Sequence, residues 1–539
     1  MSTSANDRAI VLLARRCHTM TGNTSRTQAI AIKRGHIVDL GTHRRIMAHA
    51  GPRTRIIDLG DATLTPGLID AHTHFVWWAL QRILAIDVTG LPTLPATLDR
   101  LRRQAPRIQG DWIIAASFDH NLWGSGFPTA QDLDQAVRDR PVLVRSRDAH
   151  SVWLNSAGLR RAGIGPRTAD PTGGRYLRDQ HGRPTGIVQE AAIETLPDPV
   201  HEFAARQDRA ALRVIDRALE QAYAAAWALG LVGVHTMDGA ASLFHLQRHH
   251  RAGRLGMRIV HAVPRANLVH AAALGLRSGL GDEWLRLGAV KLFCDGALGS
   301  QTAYMFTDYP GRPKYRGVPV LAGAALEDTV VAAARAGWPV WIHAIGDRAV
   351  HEALRAIAAA RRVEDTPLPH RIEHAQCVRP ADVRRMARLG VAASVQPCHL
   401  PGDIATADRH WPRARRNAYP LRSLLAAGVT LAAGSDVPIE SLDPRRGLFG
   451  ATCRTDEADR PFGGWFPQQA LTTVAALRAY TVGPRRSVGE AAPAGTLAIG
   501  APADVTIWAA DPLSTPPERL RDVPILGCVV GGHVHLTES

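Results

Sequence analysis

The chain contains little of what marks several specialised classes of protein. Its 539 residues include six cysteines, which are far apart and form no CxxC pair, so neither a disulfide framework nor a thiolate zinc site is expected. No apolar run approaches the roughly 20 residues that cross a bilayer. The first residues also lack the basic, apolar and small-residue order of a secretory signal. These absences predict a globular protein of the reducing cytoplasm that does not enter membranes.

Lysine is also scarce. The 64 basic residues include only Lys33, Lys291 and Lys314, so 64 − 3 = 61 are arginines, and the formal net charge is +15. The basic residues are scattered and do not alternate with aromatic ones in a stripe, so no nucleic-acid partner is expected. The expected partner is a small-molecule substrate, with a homodimer left open. A lysine in such a chain needs a specific reason.

Strand patterns at the two ends of the chain predict one small β-sandwich domain. Residues 29–32 and 36–40 are strand-like and separated by the turn residues Arg34 and Gly35, and residues 525–530 and 533–536 repeat the pattern near the other end. We therefore expect residues 1–64 and 485–539 to form this domain together.

The middle of the chain alternates apolar strand-length runs with alanine-rich helical stretches. Such alternation indicates parallel strands buried on both faces, and eight of them predict an α/β fold with a (β/α)8 TIM-like barrel over residues 65–484. A large insertion, residues 76–229, follows the first strand and is expected to form a lid over the substrate. The eight runs are residues 65–75, 230–238, 258–263, 287–295, 339–346, 371–375, 391–397 and 429–436.

Metal-competent side chains end several of these predicted strands, where barrel enzymes place their catalytic groups. His72 and His74 are two residues apart, so both imidazoles point to one side of an extended chain and can bind one ion. Alone, this pair is a weak signal, and a solvated or core pair is the better interpretation. The other strand ends make a metal site the better interpretation, because they carry Lys291, His343, His374 and Asp436.

These groups predict a site for two ions. Asp436 can bind the first ion with the histidine pair and accept a proton from bound water, and His343 and His374 would hold the second. Lys291 cannot bind a cation as an ammonium, but its neutral amine can add carbon dioxide to give a carbamate that bridges two metals. A salt bridge between Lys291 and Asp295 is the alternative.

Six segments resemble the amidohydrolase superfamily, within it the amidohydrolase-3 branch, and the resemblance covers almost the whole chain. It implies the barrel, the terminal β domain and two divalent cations, with zinc as the expected metal. It also implies the ligands His72, His74, carboxylated Lys291, His343, His374 and Asp436, with Asp436 as the catalytic acid and base. The segments are TPGLIDAHTHF (65–75), AVKLFCDGALGSQTA (289–303), WIHAIGDRA (341–349), RIEHAQ (371–376), AAGSDVPIESLDP (432–444) and GAPADVTIWAADPL (500–513).

Other polar residues are assigned more modest roles. Asp148, His150 and Glu190 of the insertion are the candidates for substrate contact. His235 departs from the family pattern, and we expect it to pack or to support the ligands. Cys294 and Cys398 have no base in motif spacing and are expected to pack.

The resulting hypothesis is a hydrolase that cleaves a non-peptide carbon–nitrogen bond, as in an N-formyl or N-acyl amine, with metal-bound hydroxide. A deaminase or an ester hydrolase on the same scaffold is the alternative, because fold and metals do not choose the bond. A catalytically silent binding protein is disfavoured, since no ligand position is broken.

Overall fold

A barrel of eight parallel strands occupies the centre of the molecule. The structure, a computed structural model, describes residues 9–22, 27–108, 110–124, 126–364, 366 and 368–537. Each neighbouring pair is parallel, and a bridge between Thr73 and Val437 joins the first strand to the segment after the last. We number them barrel strands 1 to 8: Leu68–Thr73, Leu231–Thr236, Arg258–Pro264, Leu285–Phe293, Val340–Ala344, Arg371–His374, Ala392–Val395 and Leu431–Ala433. The TIM-like barrel is thereby confirmed.

Helices surround the barrel. Almost all strand residues are buried, because the barrel interior covers one face and helices cover the other. The helices are Phe75–Leu84, Arg209–Ala228, Ala240–Arg251, Leu268–Ala273, Gly323–Arg335, Asp347–Val363, Pro380–Arg388, Leu400–His410, Leu421–Ala426, Pro444–Thr452, Thr473–Tyr480 and Val482–Arg486.

The run predicted as one strand over residues 65–75 is divided. Thr63–Pro66 pairs with Val505–Trp508 in a terminal sheet, and Leu68–Thr73 is barrel strand 1. The two strands meet at Gly67, where an added Cβ would lie 2.5 Å from both methyl carbons of Val232. The run reads as continuous because both of its parts are buried.

Two sheets from the ends of the chain share one apolar cluster, which includes Leu12, Ile30, Leu64 and Val505. One sheet has the order His36–Gly41, Ala29–Lys33, Ile10–Leu13 and Arg55–Asp58, and the helix His43–Met47 lies beside it. The other has the order Arg16–Cys17, Thr63–Pro66, Val505–Trp508, Ile525–Val530 and His533–Leu536. Residues 1–8, 23–26 and 538–539 of the predicted terminal domain lie outside the described residues, and the domain boundaries stay a prediction.

The segment between barrel strands 1 and 2 carries a six-stranded sheet of its own. Its order is Gly174–Arg178, Pro184–Glu190, Ser151–Leu154, Val142–Ser146, Ile113–Phe118 and Ile86–Asp87. Four helices accompany it: Leu94–Gln104, Ala130–Asp134, Ser156–Arg161 and Pro199–Ala204. In the described part of the chain, no helix has the length and apolarity to cross a membrane.

Candidate metal centre

One cavity of about 430 Å³ opens at the carboxyl ends of the barrel strands. All six predicted metal ligands and all three predicted substrate residues line it, although they come from seven separate segments of the chain. They are His72, His74, Asp148, His150, Glu190, Lys291, His343, His374 and Asp436. The structure therefore brings the whole predicted set together, while the role of each residue stays a prediction.

His72, His374 and Asp436 form the tightest group. Each offers one ligand atom within 4.8 Å of the others, which is compatible with a single metal ion. Asp436 Oδ1 lies 3.2 Å from Nε2 of His72 and 3.5 Å from Nε2 of His74. The His343 ring centre is 4.4 Å from that of His374. His374 thus lies between the two predicted ligand groups, so the geometry alone does not divide them into two sets.

The backbone at two of these positions has an uncommon conformation. His374 has φ 71° and Asp436 has φ 61°, a left-handed region that residues other than glycine adopt at a cost of about 1–3 kcal/mol. Nearby, Gly434 lets strand 8 approach strand 1, because an added Cβ would lie 2.6 Å from both the His72 nitrogen and Asp70 Oδ1. Gly434 therefore allows the segment that carries Asp436 to approach barrel strand 1 closely.

Lys291 is fully enclosed and lacks the partner that a buried ammonium needs. Its Nζ has no hydrogen-bond partner among the described residues, and burial lowers the pKa of this lysine to about 8. Asp295, its suggested salt-bridge partner, instead accepts from the backbone amides of Tyr304, Ile345 and Gly346. The described residues therefore contain no salt bridge between Lys291 and Asp295.

The four histidines have the protonation state that metal ligation requires. Burial, aided by nearby positive groups, lowers the pKa of His72, His343 and His374 well below the usual value and that of His74 to about 3. Burial also raises the pKa of Asp436 to about 8. Its Oδ1 has no hydrogen-bond donor among the described residues. Neutral imidazoles around an orphaned carboxylate oxygen and an orphaned amine fit a cation site.

A buried ion pair supports His72 from below. Glu373 accepts from Nδ1 of His72 at 2.6 Å and from Nε and Nη2 of Arg371 at 2.8 and 2.9 Å, and neither charged side chain is exposed. Because the carboxylate holds Nδ1–H, Nε2 of His72 is free to face the cavity. Sequence reasoning missed this pair, although Glu373 directly precedes His374 and a buried strand with two charges was a usable signal.

Asp70 is a second residue that sequence reasoning missed. It is buried and accepts from the backbone nitrogens of His72 and Ser435, so it ties strand 1 to the loop that carries Asp436. Burial raises its pKa to about 7. Its position two residues before His72 was the available signal, since alternate strand residues share a face.

Hydrogen bonds connect the three insertion residues Asp148, His150 and Glu190 at the cavity wall. Glu190 accepts from Nδ1 of His150 at 2.8 Å, and Asp148 Oδ2 accepts from Ser300. Burial opposes the charge on His150, but the carboxylates of Glu190, Asp148 and Asp295 raise its pKa to about 9. Glu190 Oε1 has no donor among the described residues. A cationic imidazole thus lies beside His343, with their ring centres 5.0 Å apart.

His235 lies beneath the site. Its Nδ1 accepts from Arg371 Nη1 at 2.8 Å, and its ring stacks on Trp341. It therefore packs against the residue that holds Glu373, as expected. Cys294 and Cys398 are buried with raised thiol pKa values, which fits packing.

A (β/α)8 barrel with metal-competent side chains at the carboxyl ends of its strands is an enzyme scaffold whose chemistry is set at that face. The chain belongs to the amidohydrolase family, whose model matches residues 55–535. It is therefore a hydrolase.

Full-length relatives support this assignment. The chain is 29% identical to the putative amidohydrolase YtcJ of Bacillus subtilis, over 97% of this chain and 98% of the relative. It is 28% identical to the N-substituted formamide deformylase of Arthrobacter pascens, over 97% and 98%. An uncharacterised metal-dependent hydrolase from Pyrococcus furiosus superimposes with a TM-score of 0.71 at 26% identity, covering 94% of this chain and all of that one.

Proposed function

We propose that this protein is a metal-dependent hydrolase that cleaves a carbon–nitrogen bond other than a peptide bond, in an N-formyl or N-acyl amine. The observation that carries the proposal is Lys291. Its buried amine has a lowered pKa and no hydrogen-bond partner among the described residues, and it lines the same cavity as four neutral histidines and the carboxylate of Asp436. The names of the Arthrobacter and Pyrococcus relatives agree with this chemistry.

We propose that the site holds two divalent cations, with zinc as the expected metal. His72, His74, His343, His374 and Asp436 supply neutral nitrogens and a carboxylate, which zinc accepts. Lys291 would complete the set after its neutral amine adds carbon dioxide and releases a proton. The resulting N6-carboxylysine has two oxygens that share one negative charge, which a buried ammonium cannot offer.

Bound cations would supply a hydroxide nucleophile near neutral pH and polarise the substrate carbonyl. Nearby cations would favour the ionised form of Asp436, and in that form its side chain accepts a proton from the attacking water and donates it to the leaving nitrogen. Glu373 and Arg371 keep the His72 ring oriented. Asp148, His150 and Glu190 are proposed to contact the substrate, with His150 Nε2 as a hydrogen-bond donor.

Metal analysis tests the site. We expect about two divalent ions per wild-type chain, and faster reconstitution of the metal-free protein when bicarbonate is present. Lys291→Ala should lose metal and activity, whereas Lys33→Ala, at an exposed lysine, should retain both. A Lys291→Ala protein with full metal content and activity would contradict the proposal.

A substrate screen tests the reaction. N-formyl and N-acyl amines are incubated with the metal-loaded protein, and the released acid and amine are measured. Aminopurines, assayed for ammonia, and simple esters are screened in parallel. Turnover of an aminopurine or an ester, with no turnover of any amide, would favour the deaminase or esterase alternative.

We also propose a cytoplasmic location. All six cysteines are free in the structure, and five of them are buried, which is typical of a reducing compartment. Fractionation of the native host, with the protein detected outside the cytoplasm, would contradict this.

A further inference from the structure

The metal centre lies between two cavities. The cavity already described, which we call the large lobe, has a volume of about 430 Å³. A second cavity of about 240 Å³, the small lobe, opens on the other side. The two lobes share a wall that contains both predicted metal ligands and predicted substrate residues: Asp148, His150, His343, His374, Asp436 and Ile439. A molecule with its reacting bond at this wall therefore has room on both sides.

The large lobe offers an apolar surface beside the metal centre. Trp77, Ile193, Leu196, Met237 and Val320 line it, and Leu196 and Met237 are buried. This surface suits an alkyl or aryl group.

One ion pair of the large lobe lies beside this apolar surface. Arg145 binds Asp198 at 3.0 Å and lies 5.2 Å over the Trp77 ring, so its charge is already compensated. A substrate group beside Trp77 therefore meets apolar side chains and an arginine whose charge is already compensated.

The small lobe combines apolar side chains, such as Leu122 and Ile345, with charged side chains of both signs, including the exposed Arg409. Arg147 already binds both Asp119 and Glu440. One oxygen of Asp403 accepts from Tyr419 and Gln376 at 2.5 Å each, and the other has no hydrogen-bond donor among the described residues. Because a carboxylate only accepts, the part of this lobe beside Asp403 suits a group that donates hydrogen bonds, such as an ammonium or a hydroxyl.

The lobe volumes argue against a very small substituent on either side. An apolar cavity of about 150 Å³ is enough to hold benzene, and the small lobe is larger than that. A formamide has only hydrogen on the acyl side of its reacting bond, so one lobe would contain nothing but water. Binding energy from remote groups, which can favour the transition state, would then be lost on that side.

We infer that the substrate is a two-sided amide, with an apolar alkyl or aryl group in the large lobe and a hydrogen-bond-donating group in the small lobe. This inference rests on the proposed function and selects within it: it favours N-acyl amines with substituents on both sides over N-formyl amines.

A matched substrate series tests the inference. The probes are N-phenylacetyl-ethanolamine and N-phenylacetyl-ethylenediamine, their reversed amides with phenethylamine as the leaving amine, and N-formylphenethylamine. We expect kcat/KM for the best two-sided amide to exceed that for the formamide by at least tenfold. Comparable values for all probes would overturn the inference, whereas turnover of none of them, nor of any other amide, would overturn the proposed function.

Variants that fill one lobe provide the second test. Ala405 lines only the small lobe and Ile193 only the large one. Ala405→Trp and Ile193→Trp should each lower kcat/KM for the best two-sided amide by at least tenfold while leaving metal content unchanged. N-formylphenethylamine has one substituent, so the variant that fills the lobe without that substituent should lower its turnover much less than the other variant does, and each variant is the control for the other.

Smaller substitutions keep this test decisive where a tryptophan variant is insoluble. Ala405→Leu and Ile193→Phe should have the same effect to a lesser degree. Asp403→Asn should weaken turnover of the ethylenediamine amide more than that of its N-butyl analogue. Soluble, metal-loaded variants with the wild-type order of substrate preference would overturn the inference.

Discussion

Replacing Glu373 by glutamine tests how the buried ion pair supports the metal centre. Glu373 accepts from both Nδ1 of His72 and the guanidinium of Arg371, and it is the one carboxylate that the described residues place on that guanidinium. A glutamine has the same shape, but its single carbonyl oxygen cannot serve both donors, and its NH₂ group would face one of them. The variant should therefore affect both the stability of the fold and the orientation of the His72 ring.

The magnitudes follow from burial. Removing one partner of a buried ion pair costs about 3–5 kcal/mol because the other charge stays uncompensated. Arg371 also donates to the carbonyl of Ala71, contacts His235 and lies 4.0 Å from the Trp341 ring centre, so we expect the lower end of that range. Loss of a carboxylate that orients a metal-binding histidine typically weakens metal binding about 10–100-fold.

The assay compares urea unfolding of the chelated proteins with zinc titration of the same samples. Asp511→Asn is the matched control, because Asp511 also joins an arginine and a histidine, Arg16 and His18, but in the terminal sheet. Arg16 is half exposed, so the control should lose at most about 1 kcal/mol and bind zinc normally. Wild-type stability and zinc affinity in Glu373→Gln would refute the reasoning.

Three further predictions concern other parts of the molecule. Asp436→Asn should lower kcat by about 10²–10⁴-fold at saturating metal, since the proton carrier is lost; stopped assays at several zinc concentrations check this. Gly67→Ala should destabilise the protein by about 1–3 kcal/mol, because the added Cβ crowds Val232. Gly165→Ala is the control and should leave stability unchanged, because an added Cβ there meets nothing within 4 Å. Urea unfolding of both variants measures the difference. Burial raises the pKa of Asp403 to about 6, so the fold favours the protonated form of this side chain. As pH rises from about 4 through 6, the wild type should therefore lose stability relative to Asp403→Asn. Urea-unfolding midpoints of both proteins, measured across pH 4–8, check this.

The barrel was predictable because its signal is repeated. The strands are buried on both faces and most of them are largely apolar, and each of the eight predicted runs overlaps a barrel strand. The predicted ends were less accurate where the chain changes sheets inside one apolar run, as at Gly67. In the insertion, short strands such as Ile86–Asp87 and Gly174–Arg178 carry too few apolar residues to stand out.

The candidate ligands that end barrel strands were predictable from the sequence. The residues that contact and orient these ligands were much less predictable. His72, His343 and Lys291 could be read from strand position alone. The grouping of His374 with His72 and Asp436 depends on left-handed backbone at His374 and Asp436, which no spacing rule reveals. Likewise, the contact between Glu373 and His72 joins residues 301 positions apart.

The scarcity of lysine and the geometry around Lys291 lead to the same chemical argument by independent routes. An arginine at position 291 would stay protonated in any environment, and a protonated group there would repel the cations that the surrounding histidines can bind. The structure adds that this amine is fully buried and has no hydrogen-bond partner among the described residues. Burial favours its neutral form, and only the neutral form can add carbon dioxide. A chain with 61 arginines thus retains a lysine at the position where we propose that an uncharged nitrogen is required.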